Sequence, residues 1–268
     1  LEYLDVEGQR IECQWFNSDV IEGPTLVFLH HGLGCVTTWR DFPEKICKSA
    51  GLRGFVYSRT GYGGSVGVEL PRPVNYLNDE AENVLPKVLA AAGITDYVLL
   101  GHSDGGSMAM IHAGTPGAMT GPRARAIIVI AGHLFVEQSN LDAIAAMKPV
   151  YENTDLRQKL QKHHGDNVDT AFYGWSGNWL HADFPAWQIF DLVPGISCPI
   201  LAIRGKRDEY GSPAQIEKLR QLATADLQVL EPDCGHFPHQ EAFQDVHDDI
   251  LAFLTGHGLM TGSAKSPV

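Results

Sequence analysis

Ser103 stands in Gly101-His102-Ser103-Asp104-Gly105, with an apolar run before it and small residues after it. Tyr97-Val98-Leu99-Leu100 reads as a buried parallel strand, and Gly106-Ser107-Met108-Ala109-Met110-Ile111-His112-Ala113 reads as a helix. A G-x-S-x-G pattern at such a junction makes a turn so tight that only glycine fits beside the serine backbone. The hydroxyl is thereby held clear of the sheet, where a base can reach it. An ordinary loop could contain the same pentapeptide; the strand before it and the helix after it make Ser103 a candidate nucleophile.

A serine hydroxyl is a poor nucleophile near neutral pH, so it needs a base and a group that orients the base. In this architecture the partners follow in the order serine, acid, histidine. The apolar run Pro199–Ile203 leads into Arg204-Gly205-Lys206-Arg207-Asp208-Glu209, which puts Asp208 just past a strand's carboxyl end. After the next strand comes Pro232-Asp233-Cys234-Gly235-His236-Phe237, with His236 in the loop before the last helix. Glu209 and Asp233 are the competing carboxylates. His239 is expected near the surface where the last helix begins. With no third ligand at a suitable spacing, His236 and His239 do not make a metal site.

Charge that develops on the substrate oxygen needs donors in place beforehand. The backbone N–H of Asp104 is one. The loop His31-Gly32-Leu33-Gly34 offers the second, the N–H of Leu33. The Asp104 carboxylate is expected to turn away from that charge. His30, His31 and His102 read as braces for these loops, and His163-His164 as an exposed pair on a helix. Cys35 fits either a pocket wall or the core.

These loops must be held by something, and the remaining sequence supplies it. Strands are expected near Tyr3–Glu7, Arg10–Phe16, Thr25–Leu29, Gly54–Tyr57, Tyr97–Leu100, Ala126–Ala131, Pro199–Ile203 and Leu227–Leu230. Helices are expected near Thr38–Ala50, Tyr76–Ala92, Pro213–Ala223 and Gln240–Leu254. The alternation gives an α/β chain with a mostly parallel eight-stranded sheet and helices on both faces. Ligands then belong beyond the strands' carboxyl ends, where each glycine-rich loop falls. Residues 133–196 contain no strand pattern and are too long for a plain connection. They read as a helical cap between two core segments, residues 1–132 and 197–258, with 259–268 as a disordered tail.

A chain of 268 residues with 44% hydrophobic and 19% charged residues has ample material for one core. Its net charge of −12 argues against nucleic acid or an anionic membrane as a partner. No apolar run is long enough to span a bilayer. Five cysteines without a C-x-x-C pair suggest a reduced, cytoplasmic protein, although Leu1 leaves room for a removed leader. The expected partner is a small-molecule substrate, for a monomer or homodimer.

Taken together, His31-Gly32-Leu33-Gly34, Gly101-His102-Ser103-Asp104-Gly105-Gly106, and Asp208 with Gly235-His236 resemble the α/β-hydrolase superfamily. The resemblance runs from Glu2 to about Leu254. It implies that fold with a cap, and an acyl-serine mechanism without cofactor or metal. Ser103 would be the nucleophile, His236 the base and then acid, and Asp208 the orienting carboxylate. Many relatives carry Asp and Arg after the fourth strand, where this chain has Ser58 and Thr60.

Hydrolysis of a carboxylic ester is the expected reaction. The alternatives are carbon–carbon hydrolysis of ring-cleavage products, thioester or lactone cleavage, and a non-catalytic binding protein of the same fold. Carbon–carbon relatives hold a substrate carboxylate with a cap arginine, and Arg157 is the only arginine between His133 and Ile196. Residues 133–196 also hold three of the five tryptophans. Phe135, Trp175, Trp179, Trp187 and Phe237 are therefore candidates for an apolar substrate pocket, although a small cap also needs aromatics for its own core.

Overall fold

A computed structural model describes residues 1–116 and 123–260. Two strands, β1 (Glu2–Val6) and β2 (Gln9–Phe16), form a hairpin, and β3 (Thr25–Leu29) follows. Helix α1 (Phe42–Ala50) leads to β4 (Gly54–Tyr57). The next helix is one run in three parts: α2 (Tyr76–Asp79), a π-helical turn Glu80–Val84, and α3 (Leu85–Ala91). Strand β5 (Tyr97–His102), helix α4 (Asp104–Gly114) and β6 (Ala124–Ile130) complete the first half. Helices α5 (Gln138–Asn153), α6 (Leu156–His164) and α7 (Val168–Trp179) fill the long stretch before β7 (Ile200–Ile203). Helix α8 (Pro213–Leu222), strand β8 (Leu227–Leu230), the short α9 (Pro238–Glu241) and α10 (Phe243–Gly256) close the chain.

All eight strands form one sheet in the order β1-β2-β4-β3-β5-β6-β7-β8. It is mixed: β1 pairs with β2, and β2 with β4, antiparallel, and the remaining pairs are parallel. The parallel strands β3, β4, β5 and β7 are buried along their whole length, because both faces of the sheet are covered there. On β3, Val27 and Leu29 join the cluster beneath α3 and α4, whereas Leu26 and Phe28 join the one beneath α1 and α10. That alternation is the two-residue period of a strand.

Register decides what meets at the sheet's edge. Leu29 pairs with Gly101, His102 with Ile130, Ile130 with Ile203, and Ile203 with Leu230. Strands β3, β5, β6, β7 and β8 therefore run out at a common edge, and their loops emerge side by side.

Some expectations shift. Thr38–Ala50 divides into a 3₁₀ turn at Val36–Trp39 and α1, and Gln240–Leu254 divides into α9 and α10. Leu259 is buried and its N–H donates to the Leu254 carbonyl at 2.9 Å, so packed chain continues into the expected tail. Residues 261–268 of that tail lie outside the described residues. Among the described residues no helix is long and apolar enough to cross a membrane.

Candidate active site

The turn after β5 is built by contact of backbone on backbone. A Cβ on Gly101 would lie 2.0 Å from the Gly105 carbonyl oxygen, and one on Gly105 would lie 2.0 Å from that of Leu29. Neither position can carry a side chain. Between them Ser103 takes φ 54°, a conformation sparsely populated outside glycine, and its N–H donates to the Ile130 carbonyl at 2.8 Å. Ser103 caps α4, so the positive end of that helix lies beneath the hydroxyl.

Ser103 Oγ is 3.0 Å from His236 Nε2, and His236 Nδ1 is 2.8 Å from Asp208 Oδ1. Asp208 therefore accepts a hydrogen bond from Nδ1–H, which leaves Nε2 as an acceptor for the serine hydroxyl. Burial works against the Asp208 carboxylate. The hydrogen bond and charge of His236, with the Tyr210 N–H, outweigh it and hold the carboxyl below its usual range. Of the competing carboxylates, Asp233 pairs with Arg207 at 2.6 Å.

Leu33, in the loop after β3, and Asp104, the first residue of α4, line the same cavity as Ser103 and His236. The Asp104 N–H belongs to the first turn of α4, where helices leave donors without intrahelical partners. The Leu33 N–H makes only a long contact, 3.3 Å, to His31 Nδ1. The Asp104 carboxylate accepts from Tyr76 at 2.5 Å and from Trp179 Nε1 at 3.2 Å.

Buried histidines and an arginine brace the loops. The Arg59 N–H donates to His30 Nε2 at 3.1 Å, so His30 carries its proton on Nδ1 and donates it to the His31 carbonyl at 2.8 Å. The Arg59 guanidinium donates to the carbonyls of His30 at 3.0 Å and His31 at 3.1 Å. His102 Nε2–H donates to the His236 carbonyl at 2.8 Å, tying the elbow to the histidine loop. Burial keeps His30 and His102 neutral by pushing their pKa well below the usual imidazole value. Ser58 donates to the buried Glu12 carboxylate at 2.6 Å.

A cavity of about 180 Å³ opens on Ser103. Trp175, Trp179 and Phe237 line it, joined by Ile144 and Met147 of α5. Phe135 and Trp187 do not line it. Phe135 packs on Phe190, and Trp187 stacks on Phe184 while its Nε1 donates to Asn78 at 3.0 Å. Those rings form the helical segment's own core, which is continuous with the cluster beneath α3 and α4. The cavity also takes His133, Asn140 and Tyr210, none of which the sequence reading singled out. His133 had a signal, since it lies three residues past the end of β6. Asn140 had none.

Two other expectations are corrected, and the choice left open for Cys35 falls to the core. His164 is buried and reaches two loops of the sheet's edge, because α6 ends against them. His239 is buried too, packed against Trp39, Phe42 and His102, and burial lowers its pKa to about 3. Cys35 joins Tyr62 and Ala171 in a small core cluster away from the cavity.

Comparison with known proteins agrees with this architecture. Residues 26–249 match the alpha/beta hydrolase family. The chain is 24% identical over 260 residues to the sn-1-specific diacylglycerol lipase ABHD11 of Mus musculus, covering 86% of this chain and 81% of that one. The enol-lactonase of Burkholderia xenovorans LB400 superposes with a TM-score of 0.73 at 17% identity, over 95% of this chain and 100% of the lactonase. A thermophilic esterase of Thermogutta terrifontis gives a TM-score of 0.71 at 18% identity, over 96% and 98%. With a family match across most of its length on a sheet of the same architecture, the chain belongs to the alpha/beta hydrolase family.

Proposed function

We propose that this hydrolase cleaves a carboxylic ester with a small apolar acyl group through an acyl-serine intermediate. The observation that carries the reading is the continuous hydrogen-bonded chain from Ser103 through His236 to Asp208, opening on an apolar cavity. His236 Nε2 takes the Ser103 proton as Oγ attacks the carbonyl carbon. The N–H groups of Leu33 and Asp104 stabilise the oxygen as it becomes negative. His236 returns the proton to the leaving alcohol, and the C–O bond breaks. Water then enters, gives a proton to His236 and attacks the acyl carbon. Collapse of that second intermediate returns the proton to Ser103 Oγ and frees the acid.

A cavity of about 180 Å³ is smaller than the roughly 300–1,000 Å³ usual for drug-sized ligands, which favours a short acyl chain. In this reading the helical segment 133–196 is the cap that walls off water. Relatives described as a lipase, an esterase and a lactonase support ester chemistry. Arg157 speaks against the carbon–carbon alternative. It lies on the outside of the cap, paired with Asp169, and is not among the cavity's lining residues.

The test is a p-nitrophenyl ester series combined with a fluorophosphonate probe. Short esters are expected to turn over faster than long ones, with Ser103 as the labelled residue. Activity that survives Ser103→Ala, or labelling elsewhere, would refute the reading.

A further inference from the structure

His164 ends helix α6 and reaches from the cap to two loops of the sheet. The Gly63 N–H donates to its Nδ1 at 3.0 Å, and its Nε2 lies 3.1 Å from the Leu33 carbonyl oxygen. Because Nδ1 accepts, Nε2 carries the proton and donates to Leu33, so one neutral tautomer satisfies both bonds. The residue is 1% exposed, and burial lowers its pKa to about 4. Two neighbours grip the same loops. Thr37 Oγ1 meets His163 Nδ1 at 2.8 Å, and Asn167 Nδ2 donates to the carbonyls of Gly63 at 3.0 Å and Ser65 at 2.7 Å.

The Leu33 carbonyl and the Leu33 N–H flank one Cα, so holding the first restrains the second. Within its own loop that N–H has only the long contact to His31 Nδ1. We propose that His164 is a positioning residue that aims the Leu33 N–H at the developing oxyanion, so the oxyanion hole is complete only with the cap seated. The proposal rests on the serine-hydrolase reading given above. His164 acts through Leu33, and its hydrogen bonds run to the Gly63 and Leu33 backbone rather than to Ser103. Its effect should therefore fall on transition-state stabilisation rather than on substrate binding.

The experiment compares His164→Leu, which keeps bulk and loses both bonds, with His164→Gln, which retains a donor long enough to reach Leu33. Steady-state kinetics with p-nitrophenyl butyrate are measured beside inhibition by a trifluoromethyl ketone of the same acyl chain, whose adduct carries the oxyanion. His164→Leu is expected to lower kcat about 10–100-fold, less than outright loss of a donor, with KM little changed. The ketone should weaken by the same factor, and His164→Gln should recover most of both. Thr37→Val, which loosens the neighbouring contact, should leave kcat within about twofold, as expected of an exposed pair.

If His164→Leu does not fold, His164→Asn carries the test, because its amide can accept from Gly63 but falls short of Leu33. Unchanged kcat in a folded variant overturns the proposal, as does a rise in KM alone. An equal loss in Thr37→Val also overturns it, since general cap docking would then suffice. A wild-type protein unlabelled by fluorophosphonate brings down the hydrolase reading and this inference together. Labelling of Ser103 with unaffected His164 variants brings down this inference alone.

Discussion

Gly32→Ala puts helix α7 and the loop after β3 in direct conflict. A Cβ at Gly32 would lie 2.2 Å from both Cδ1 and Nε1 of Trp175. Ordinary contact is about 3.5–4.0 Å, so ring and loop must part by roughly 1.3–1.8 Å. Gly32 is not among the positive-φ glycines, so the backbone itself accepts alanine and the cost comes from the ring. Overpacking of this kind costs about 1–3 kcal/mol, or a few degrees in Tm for a chain of this size. The functional cost should be larger, because Trp175 walls the cavity and Leu33 is the next residue. A displacement of about 1 Å at a catalytic group costs on the order of 10²-fold in rate. We therefore expect kcat/KM for p-nitrophenyl butyrate to fall by about two orders of magnitude. Adding Trp175→Ala removes the obstacle, and the double-mutant cycle should show a favourable coupling of about 1–3 kcal/mol. A Gly32→Ala enzyme close to wild type, or strictly additive effects in the cycle, would refute the packing of Trp175 on Gly32.

Ser103→Ala should abolish turnover while the thermal melt stays close to that of the wild type. Asp208→Asn should lower kcat by about 10³–10⁴-fold, because an amide facing Nδ1 favours the tautomer with Nε2 protonated, which cannot accept from Ser103. Arg157→Ala should leave KM for a carboxylate-bearing substrate unchanged, and a rise of tenfold or more would revive the carbon–carbon alternative. His164 and His239 are held neutral, with folded pKa values of about 4 and 3 against about 6.5 in an unfolded chain. Below pH 6.5 the unfolded state binds the extra protons, so stability is full above that pH and declines as pH falls toward 4. The loss should be about 2 kcal/mol per histidine between pH 7 and pH 5, read from urea melts. His164→Gln should remove one such increment, and an unchanged slope would contradict a neutral, buried His164.

The strand runs were legible because burial on both faces leaves continuous apolar stretches such as Thr25–Leu29 and Tyr97–Leu100. The elbow was legible because tight backbone packing admits only glycine at positions 101 and 105. The cap was harder. Its aromatics carry no label that separates Trp175, which faces the cavity, from Trp187, which is stacked on Phe184. His164 and His239 looked like surface residues because a histidine among polar neighbours on a helix carries no mark of what packs against it.

Local chemistry alone therefore determined the order of elements, the tight turn at Ser103 and the residue types able to act as nucleophile, base and acid. Tertiary structure decided which of them meet. Strand register brings Leu29, Gly101, Ile130, Ile203 and Leu230 to one edge, so residues far apart in sequence come within hydrogen-bond range. Packing of helices α5, α6 and α7 then decides which rings wall the cavity and which imidazole reaches the Leu33 carbonyl. Such contacts depend on the three-dimensional path of the chain, and no short stretch of residues encodes them.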